Sequence, residues 1–188
     1  DPSFRQPNIQ LIFALGLVDD HARAFHYGHG ISCHVCLLRP KSSGRVGLYD
    51  SNPDNPPLID PNYFEHEEDL EQMVAGYKAA QRLMSAPALA SFITKDVFSS
   101  HVKTDDDIRQ LLRQRVDTLY HVAGTCKMGV DDMAVVDPSL KVHGIEGLRV
   151  VDASVMPSMI GGNTNATCIM IGEKAADLIK QDWTRAVD

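Results

Sequence analysis

Three segments in the C-terminal third of the chain carry residue types that could act together on a substrate oxygen. His121 opens the sequence His-Val-Ala-Gly-Thr, Asp152 closes a short apolar run, and Asn163 follows two glycines. A neutral imidazole can take a proton near neutral pH, and a side-chain amide can donate a hydrogen bond without itself titrating. The three segments therefore predict a base and a hydrogen-bond donor for an active site.

A helix should begin directly after Asn163 and position that amide. Asn163 and Asn165 are helix-capping residue types, and residues 166–180 are rich in good helix formers, with apolar side chains at Ile169 and Ile179. The free N–H groups at such a helix start favour an anion or an electron-rich oxygen. Helix capping is the alternative role for Asn163, and both roles stay open.

Further motifs follow in a fixed order along most of the chain. The C-terminal motifs are His121-x-x-Gly124-Thr125-x-x-Met128-Gly129, Val136-Asp137, Val142-His143-Gly144-Ile-Glu-Gly147-Leu-Arg-Val-Val-Asp152-Ala-Ser154 and Gly162-Asn163-x-Asn165-Ala. The upstream motifs are Cys33-His-Val-Cys36-Leu-Leu-Arg39-Pro40-Lys41, Gly44-Arg-Val and Ile59-Asp60-Pro61-Asn62-Tyr63. At these residues the chain resembles the glucose-methanol-choline (GMC) family of flavoprotein oxidoreductases.

The resemblance implies an FAD cofactor and a role for each candidate site residue. His121 falls on the family's catalytic histidine, and Asn163 on a second active-site position that holds Asn in some members and His in others. The remaining predicted contacts are made by residues beside the flavin, namely Asp152, Ala153, Asn165, Ala166 and Thr167, and by Tyr120 at the substrate cavity. Together these residues would oxidise an alcohol, with His121 removing the hydroxyl proton.

The fold class expected from the resemblance and the local patterns is α+β. A mostly antiparallel sheet packed with helices would form the substrate-binding domain, residues 1–147. Residues 148–188 would add a strand, a loop and a helix that complete the FAD domain of a longer polypeptide. The strand is predicted at Leu148–Val151, which we expect to be buried because it is apolar and β-branched.

Other elements are predicted from periodicity and from capping residues. Strands are expected at 9–17, 31–38 and 44–49, the third antiparallel to its neighbour across 40–44. Apolar residues at three-and-four spacing from Leu70 to Met84 predict a helix with an acidic first turn. Thr104-Asp-Asp-Asp107 is a capping-box pattern ahead of Ile108, so a second helix should start there.

A dinucleotide-binding glycine motif is missing from the sequence. Gly28-His-Gly30 lacks the third glycine of Gly-x-Gly-x-x-Gly, and the family's motif lies near the N-terminus of the full polypeptide. The chain also begins without Met. We therefore expect a C-terminal fragment that is inactive alone, whose partner is the missing N-terminal FAD domain. Its exposed apolar surface at 148–179 would favour self-association or domain swapping.

Composition excludes several other classes. With 18 Lys and Arg against 25 Asp and Glu, the formal charge is -7, which disfavours nucleic-acid binding. The chain has no apolar run of about 18 residues and no signal-peptide pattern. We expect a cytoplasmic protein, with peripheral association at the inner membrane as a further option.

The pair Cys33 and Cys36, with His34 or Cys126, raises the hypothesis of a zinc or dithiol site. Strand alternation would send Cys33 and Cys36 to opposite faces, and no second paired-cysteine motif completes four ligands. We therefore expect no metal site and interpret the cysteines as free thiols.

Substrate identity stays open at the sequence level. The stretch from Cys36 to Lys41 and the sequence Val18-Asp-Asp-His21 are closer to bacterial alcohol dehydrogenases acting on aliphatic primary alcohols. Choline dehydrogenase is the alternative within the family, although we identify no aromatic cage for a quaternary ammonium. Oxygen and a quinone are both candidate electron acceptors. A non-catalytic binding or assembly module is the alternative of a different class.

Overall fold

The computed structural model describes residues 5–19, 24 and 26–187. The chain divides into two compact units, Asp1–Gly44 with Pro61–Asp117, and Arg45–Asp60 with Thr118–Asp188. The expected boundary after residue 147 concerns a flavin domain beyond this chain and stays a prediction. Asp20 and His21, in the stretch compared with alcohol dehydrogenases, lie outside the described residues.

The first unit is built on an antiparallel hairpin and a long helix. Strand β1, Ile9–Ala14, pairs with β2, Ser32–Leu37, in the register Ile9 opposite Leu37. Helix α1, Glu67–Met84, packs on both strands. The approach is close at Gly76, where a Cβ atom would lie 2.7 Å from Val35 Cγ1. Both predicted strands and the predicted helix with its acidic first turn are confirmed.

Two more helices follow in the first unit. A short helix α2 spans Pro87–Ala90, and α3 spans Asp105–Arg115. The capping box is present, because the Thr104 side chain accepts from the Asp107 backbone while the Asp107 side chain accepts from the Thr104 backbone. Helix α3 packs on α1 around Val74, Val102 and Ile108, and the predicted second helix is confirmed.

The pairing expected for the third strand is wrong. Strand β3, Arg45–Gly47, pairs antiparallel with β4, Leu58–Asp60, and not with the strand before it. The backbone N–H groups of Lys41 and Ser42 donate to the buried carboxylate of Asp69 at 2.7–3.0 Å, so they are not available for a hairpin turn. The chain reverses instead through 50–57, the turn-rich segment between β3 and β4.

The second unit contains a continuous core below helix α4, Asn165–Val187. Its buried members come from three parts of the sequence, and they are Val136, Leu140, Val155, Met156, Ile171 and Ala175. The start of α4 directly after residue 164 confirms the helix predicted from the capping residues. The α+β class with small antiparallel sheets is confirmed as well.

The strand predicted at Leu148–Val151 does not form, whereas its burial in a longer polypeptide stays a prediction. Arg149 makes a single bridge to Lys141, and both Leu148 and Val151 are exposed, at 47% and 38%. The Leu148 carbonyl accepts from Val142 N–H at 3.0 Å, and the Leu140 carbonyl from Val150 N–H at 3.2 Å. The segment therefore pairs only with residues 140–142, and these few hydrogen bonds do not continue into a regular β-ladder.

Neither a membrane helix nor a metal cluster occurs in the described part of the chain. No described helix is both long and apolar enough to cross a bilayer. No three described His, Cys, Asp or Glu side chains are grouped as metal ligands. Cys33 and Cys36 are half-buried free thiols on β2, and burial raises the pKa of both.

Candidate active site

The base predicted at His121 lies in a loop of the second unit, directly after a residue with a left-handed backbone. Tyr120 has φ of 64°, and its N–H donates to Thr118 Oγ1 at 3.0 Å. A non-glycine residue in this conformation is uncommon and is typical of constrained sites. The bend turns the chain just before His121, and it leaves the Tyr120 side chain 68% exposed.

The loop after His121 is held against the turn at 152–156 by backbone hydrogen bonds. Gly124 N–H donates to the Ala153 carbonyl at 3.4 Å, and Cys126 and Met128 donate to residues 154 and 155 at 2.9 Å. Gly124 has φ of 88°, and a Cβ atom there would lie 3.4 Å from the Met156 carbonyl oxygen. Glycine therefore permits both the bend and the close approach.

The start of α4 is fixed from two directions. The Thr164 carbonyl accepts from Cys168 N–H at 2.9 Å, which places Thr164 at the N-cap position. Further along, Ile171 and Ala175 anchor the helix in the core. Asp182 receives Arg149 Nη2 and Lys141 Nζ, each at 2.5 Å, and these two hydrogen bonds lower the pKa of its carboxyl. Helix α4 is therefore held by contacts at its start, along its buried side and near its C-terminal end.

Both nitrogens of the His121 ring contact residues at the start of α4. Asn163 Nδ2 lies 2.8 Å from Nε2, and Thr164 Oγ1 lies 3.0 Å from Nδ1. Because an amide nitrogen only donates, this contact fits the tautomer in which Nε2 accepts and Nδ1–H donates to the Thr164 hydroxyl. In that tautomer the lone pair of Nε2 lies on the side of Asn163.

An open pocket of about 240 Å³ lies beside the loop that follows His121. Its lining comes from the two segments that the backbone hydrogen bonds join, and it consists of Val122, Ala123, Thr125, Asp152, Ala153 and Ser154. The Asp152 side chain accepts from Ser154 N–H at 2.7 Å, which caps the single 3₁₀ turn Ala153–Val155. The pocket walls are therefore small side chains and backbone, which suit a flat ligand.

The candidate residues fall into three groups in the structure. His121 and Asn163 are in direct contact, and Asp152 and Ala153 line the adjoining pocket. Three others, Asn165, Ala166 and Thr167, form the first turn of α4. Tyr120 precedes the base and is exposed, and no ligand contact is assigned to it by the geometry alone.

Sequence reasoning missed Thr164, although it lies between two residues that were singled out. Its hydroxyl contacts the His121 ring, and the residue is 9% exposed. The signal that could have found it is its position immediately before the predicted helix, where a Thr side chain is held in a defined orientation. Thr125 and Ser154, which belong to the family motifs, also line the pocket.

The arrangement can take a proton from a hydroxyl group and donate a hydrogen bond to the oxygen that remains. A base and a donor in contact are typical of enzymes that act through an ionised oxygen. The model of the GMC oxidoreductase family matches residues 40–172. The chain therefore belongs to the GMC oxidoreductase family.

Relatives with assigned names are similar over almost the whole chain. The alcohol dehydrogenase [acceptor] of Pseudomonas putida is 45% identical over 179 residues, which is 95% of this chain and 32% of that protein. The oxygen-dependent choline dehydrogenase of Escherichia coli O127:H6 is 41% identical over 178 residues, 94% of this chain and 32% of that protein. The chain thus spans about a third of the length of these relatives.

Solved structures share the fold. Pyridoxine 4-oxidase from Mesorbium loti superposes with a TM-score of 0.81 at 27% identity, covering 92% of this chain and 34% of that one. A formate oxidase from Aspergillus oryzae RIB40, in a structure concerned with modification of its FAD, gives 0.84 at 29% identity, covering 95% of this chain and 32% of that one.

Proposed function

We propose that this chain is the C-terminal part of an FAD-dependent alcohol dehydrogenase and carries its catalytic pair. The reaction would convert a primary alcohol to an aldehyde. The observation that carries the proposal is the 2.8 Å contact between His121 Nε2 and Asn163 Nδ2 in a GMC family chain. The 45% identity to a protein named as an alcohol dehydrogenase supports this substrate class.

The residues around the pocket fit one edge of a flavin. Ala153 and Ala123 offer small apolar surfaces, and Gly124 lets the loop lie close to the turn that carries Ala153. The first turn of α4 presents N–H groups that have no partner within the helix, and it holds no acidic side chain. Asp152, Ala153, Asn165, Ala166 and Thr167 would hold the cofactor here, while the rest of the FAD site would come from outside this chain.

The proton is handled by the two contacting side chains. His121 Nε2 accepts the hydroxyl proton of the alcohol, and Asn163 Nδ2 donates to the oxygen as negative charge develops there. In the structure the amide occupies the lone pair of Nε2, so the substrate hydroxyl must take its place at that nitrogen. FAD, when bound, would supply the acceptor for the hydride that leaves the carbinol carbon.

A second apolar face of α4 supports the proposal that a further domain belongs to this enzyme. Ile171 and Ala175 are buried in the core, whereas Ile169, Ile179 and Trp183 are 60%, 38% and 73% exposed. At about 100° per residue, Ile179 and Trp183 lie about 80° and 40° from Ile169 around the helix axis, so the three side chains fall within one arc of about 80°. The missing N-terminal FAD domain would cover that face.

Choline is the second candidate substrate, since relatives at 41% identity carry the name choline dehydrogenase. The test is anaerobic mixing of the flavin-loaded, full-length protein with choline or with medium-chain primary alcohols, followed by aldehyde analysis. We expect flavin bleaching and aldehyde formation with the aliphatic alcohols. Faster reduction by choline would replace the substrate assignment, and no reduction by either would contradict the proposed function. Mixing the reduced protein with oxygen or with a quinone, and comparing the rates at which the flavin is reoxidised, then identifies the electron acceptor.

A further inference from the structure

The contact between Thr164 and His121 is not used by the proposed chemistry. Thr164 Oγ1 lies 3.0 Å from Nδ1, the ring nitrogen on the side away from Asn163. The residue is 9% exposed and precedes α4, whose first hydrogen bond uses the Thr164 carbonyl. A hydroxyl held in this way can act on the imidazole without touching the substrate.

The Thr164 contact can decide which ring nitrogen of His121 carries the proton. A neutral imidazole has one N–H and one lone pair, and the hydrogen bond to one nitrogen decides which nitrogen remains basic. Once a substrate hydroxyl replaces Asn163 at Nε2, the Thr164 hydroxyl is the contact that still holds the Nδ1 proton. The lone pair then stays on Nε2, where the substrate is.

We propose that Thr164 is a positioning residue that keeps the His121 proton on Nδ1 and stabilises the imidazolium formed in the reaction. The inference rests on the proposed function, since it assigns the base to Nε2. When His121 becomes charged, the Nδ1–H contact with Oγ1 turns into a charge-assisted hydrogen bond, which is about twice as strong as a neutral one. This hydrogen bond therefore becomes stronger as the proton is transferred. An interaction that is stronger in the transition state than in the substrate complex raises kcat rather than lowering KM.

The test compares Thr164→Val with Thr164→Ser in the full-length, flavin-loaded protein. Thr184→Val is the matched control, because Thr184 lies on the same helix and its hydroxyl donates to the Lys180 carbonyl at 3.0 Å. We expect Thr164→Val to lower kcat about tenfold with KM nearly unchanged, which corresponds to the loss of one hydrogen bond to a charged group. Thr164→Ser should retain most of kcat, and the control should match the unsubstituted protein.

A second readout is independent of activity. Solid-state ¹⁵N spectra of histidine-labelled protein, with the His121 signals assigned by their loss in His121→Ala, distinguish protonated from unprotonated ring nitrogens. In alkaline buffer we expect His121 with Nδ1 protonated and Nε2 bare, and a mixture of tautomers in Thr164→Val. Nε2 protonated in the unsubstituted protein would overturn the inference even if Thr164→Val failed to fold.

The outcomes separate this inference from the proposed function. If His121→Ala abolishes turnover while Thr164→Val changes neither kcat nor the tautomer, the base assignment stands and the inference fails. If His121→Ala keeps native turnover, the proposed function itself fails. A rise in KM alone in Thr164→Val would also contradict the inference, since it would indicate a role in binding.

Discussion

Asn163 Nδ2 lies 2.8 Å from His121 Nε2, although the two residues are 42 positions apart in the chain. The contact joins the start of α4 to the loop that follows Tyr120. Backbone hydrogen bonds to residues 153–155 hold the loop, and Ile171 and Ala175 pack α4 into the core. The amide and the imidazole are thus held at the distance of one hydrogen bond. Such preorganisation is what makes a donor effective against developing charge.

Replacing Asn163 should slow the chemical step. Asn163→Ala removes the donor to the developing oxygen charge, and we expect kcat to fall by about 10². Asn163→His, which restores a donor, should recover part of this loss. Stopped-flow flavin reduction in the full-length protein measures both.

The matched control for this amide is Asn55→Ala. Asn55 donates to Asp50 in the exposed loop between β3 and β4, so the substitution should leave the reduction rate unchanged. An Asn163→Ala variant with a native rate would remove Asn163 from the proposed mechanism.

Gly124→Ala should disturb both stability and activity. The backbone has φ of 88°, which costs about 1–2 kcal/mol for a residue with a Cβ atom. The new methyl group would lie in van der Waals contact with the Met156 carbonyl oxygen at 3.4 Å, so the loss comes from the backbone conformation. Urea unfolding should show a lower midpoint. Gly16→Ala is the control, since nothing lies within 4 Å of its Cβ position and a positive φ is not required there; equal losses in the two variants would contradict the argument.

Asp69→Asn should destabilise the first unit. The carboxylate is 1% exposed and accepts from the N–H groups of Lys41 and Ser42. An amide in its place loses an acceptor and adds buried donors, which costs about 1–3 kcal/mol of the free energy of unfolding. Glu68→Gln, at an exposed ion pair with Lys41, should change the free energy of unfolding by less than about 1 kcal/mol.

Acid should remove the contribution of the Asp69 carboxylate to the free energy of unfolding. Burial by itself would raise the pKa of this carboxyl, but the backbone hydrogen bonds from Lys41 and Ser42 outweigh burial and lower the pKa below its ordinary value. Its contribution is therefore complete above the ordinary pKa of an aspartate and is lost as the pH falls through the lowered pKa. The difference between Asp69→Asn and the native chain in urea unfolding should shrink over that acidic range. If the difference in stability grew as the pH fell, the pKa of Asp69 would be raised in the folded state and not lowered.

The isolated 188-residue chain should self-associate. Ile169, Ile179 and Trp183 form an exposed apolar face on α4, and large exposed apolar patches favour association. Light scattering over a concentration series should show a mass that rises with concentration, and Trp183→Glu should reduce the rise. A constant monomer mass for the native chain would contradict this prediction.

Local signals in the sequence predicted helices better than strand pairing. The capping box at Thr104 and the acidic turn before Leu70 specify helix starts through neighbouring residues, so both could be found without the fold. The partner of β3 depended on Asp69, a residue far along the chain that binds the backbone where a hairpin turn was expected. Leu148–Val151 failed as a strand for a related reason, because strand formation needs a pairing edge that composition does not reveal.

The site was partly accessible to sequence reasoning. His121 and Asn163 follow from the family motifs, and the structure places them in contact. Thr164 was missed because its importance lies in a distance to the far side of a ring, which motif spacing does not encode. The roles of the site residues remain predictions that the variants above test.

The central claim is that His121 is the base that removes the hydroxyl proton, and flavin reduction in His121→Ala tests it most directly. His66→Ala is the control, since His66 is exposed just before α1 and makes no side-chain capping hydrogen bond. With the best primary alcohol under anaerobic conditions, we predict a reduction rate at least about 10²-fold lower in His121→Ala and a native rate in His66→Ala. A near-native rate in His121→Ala would contradict the claim.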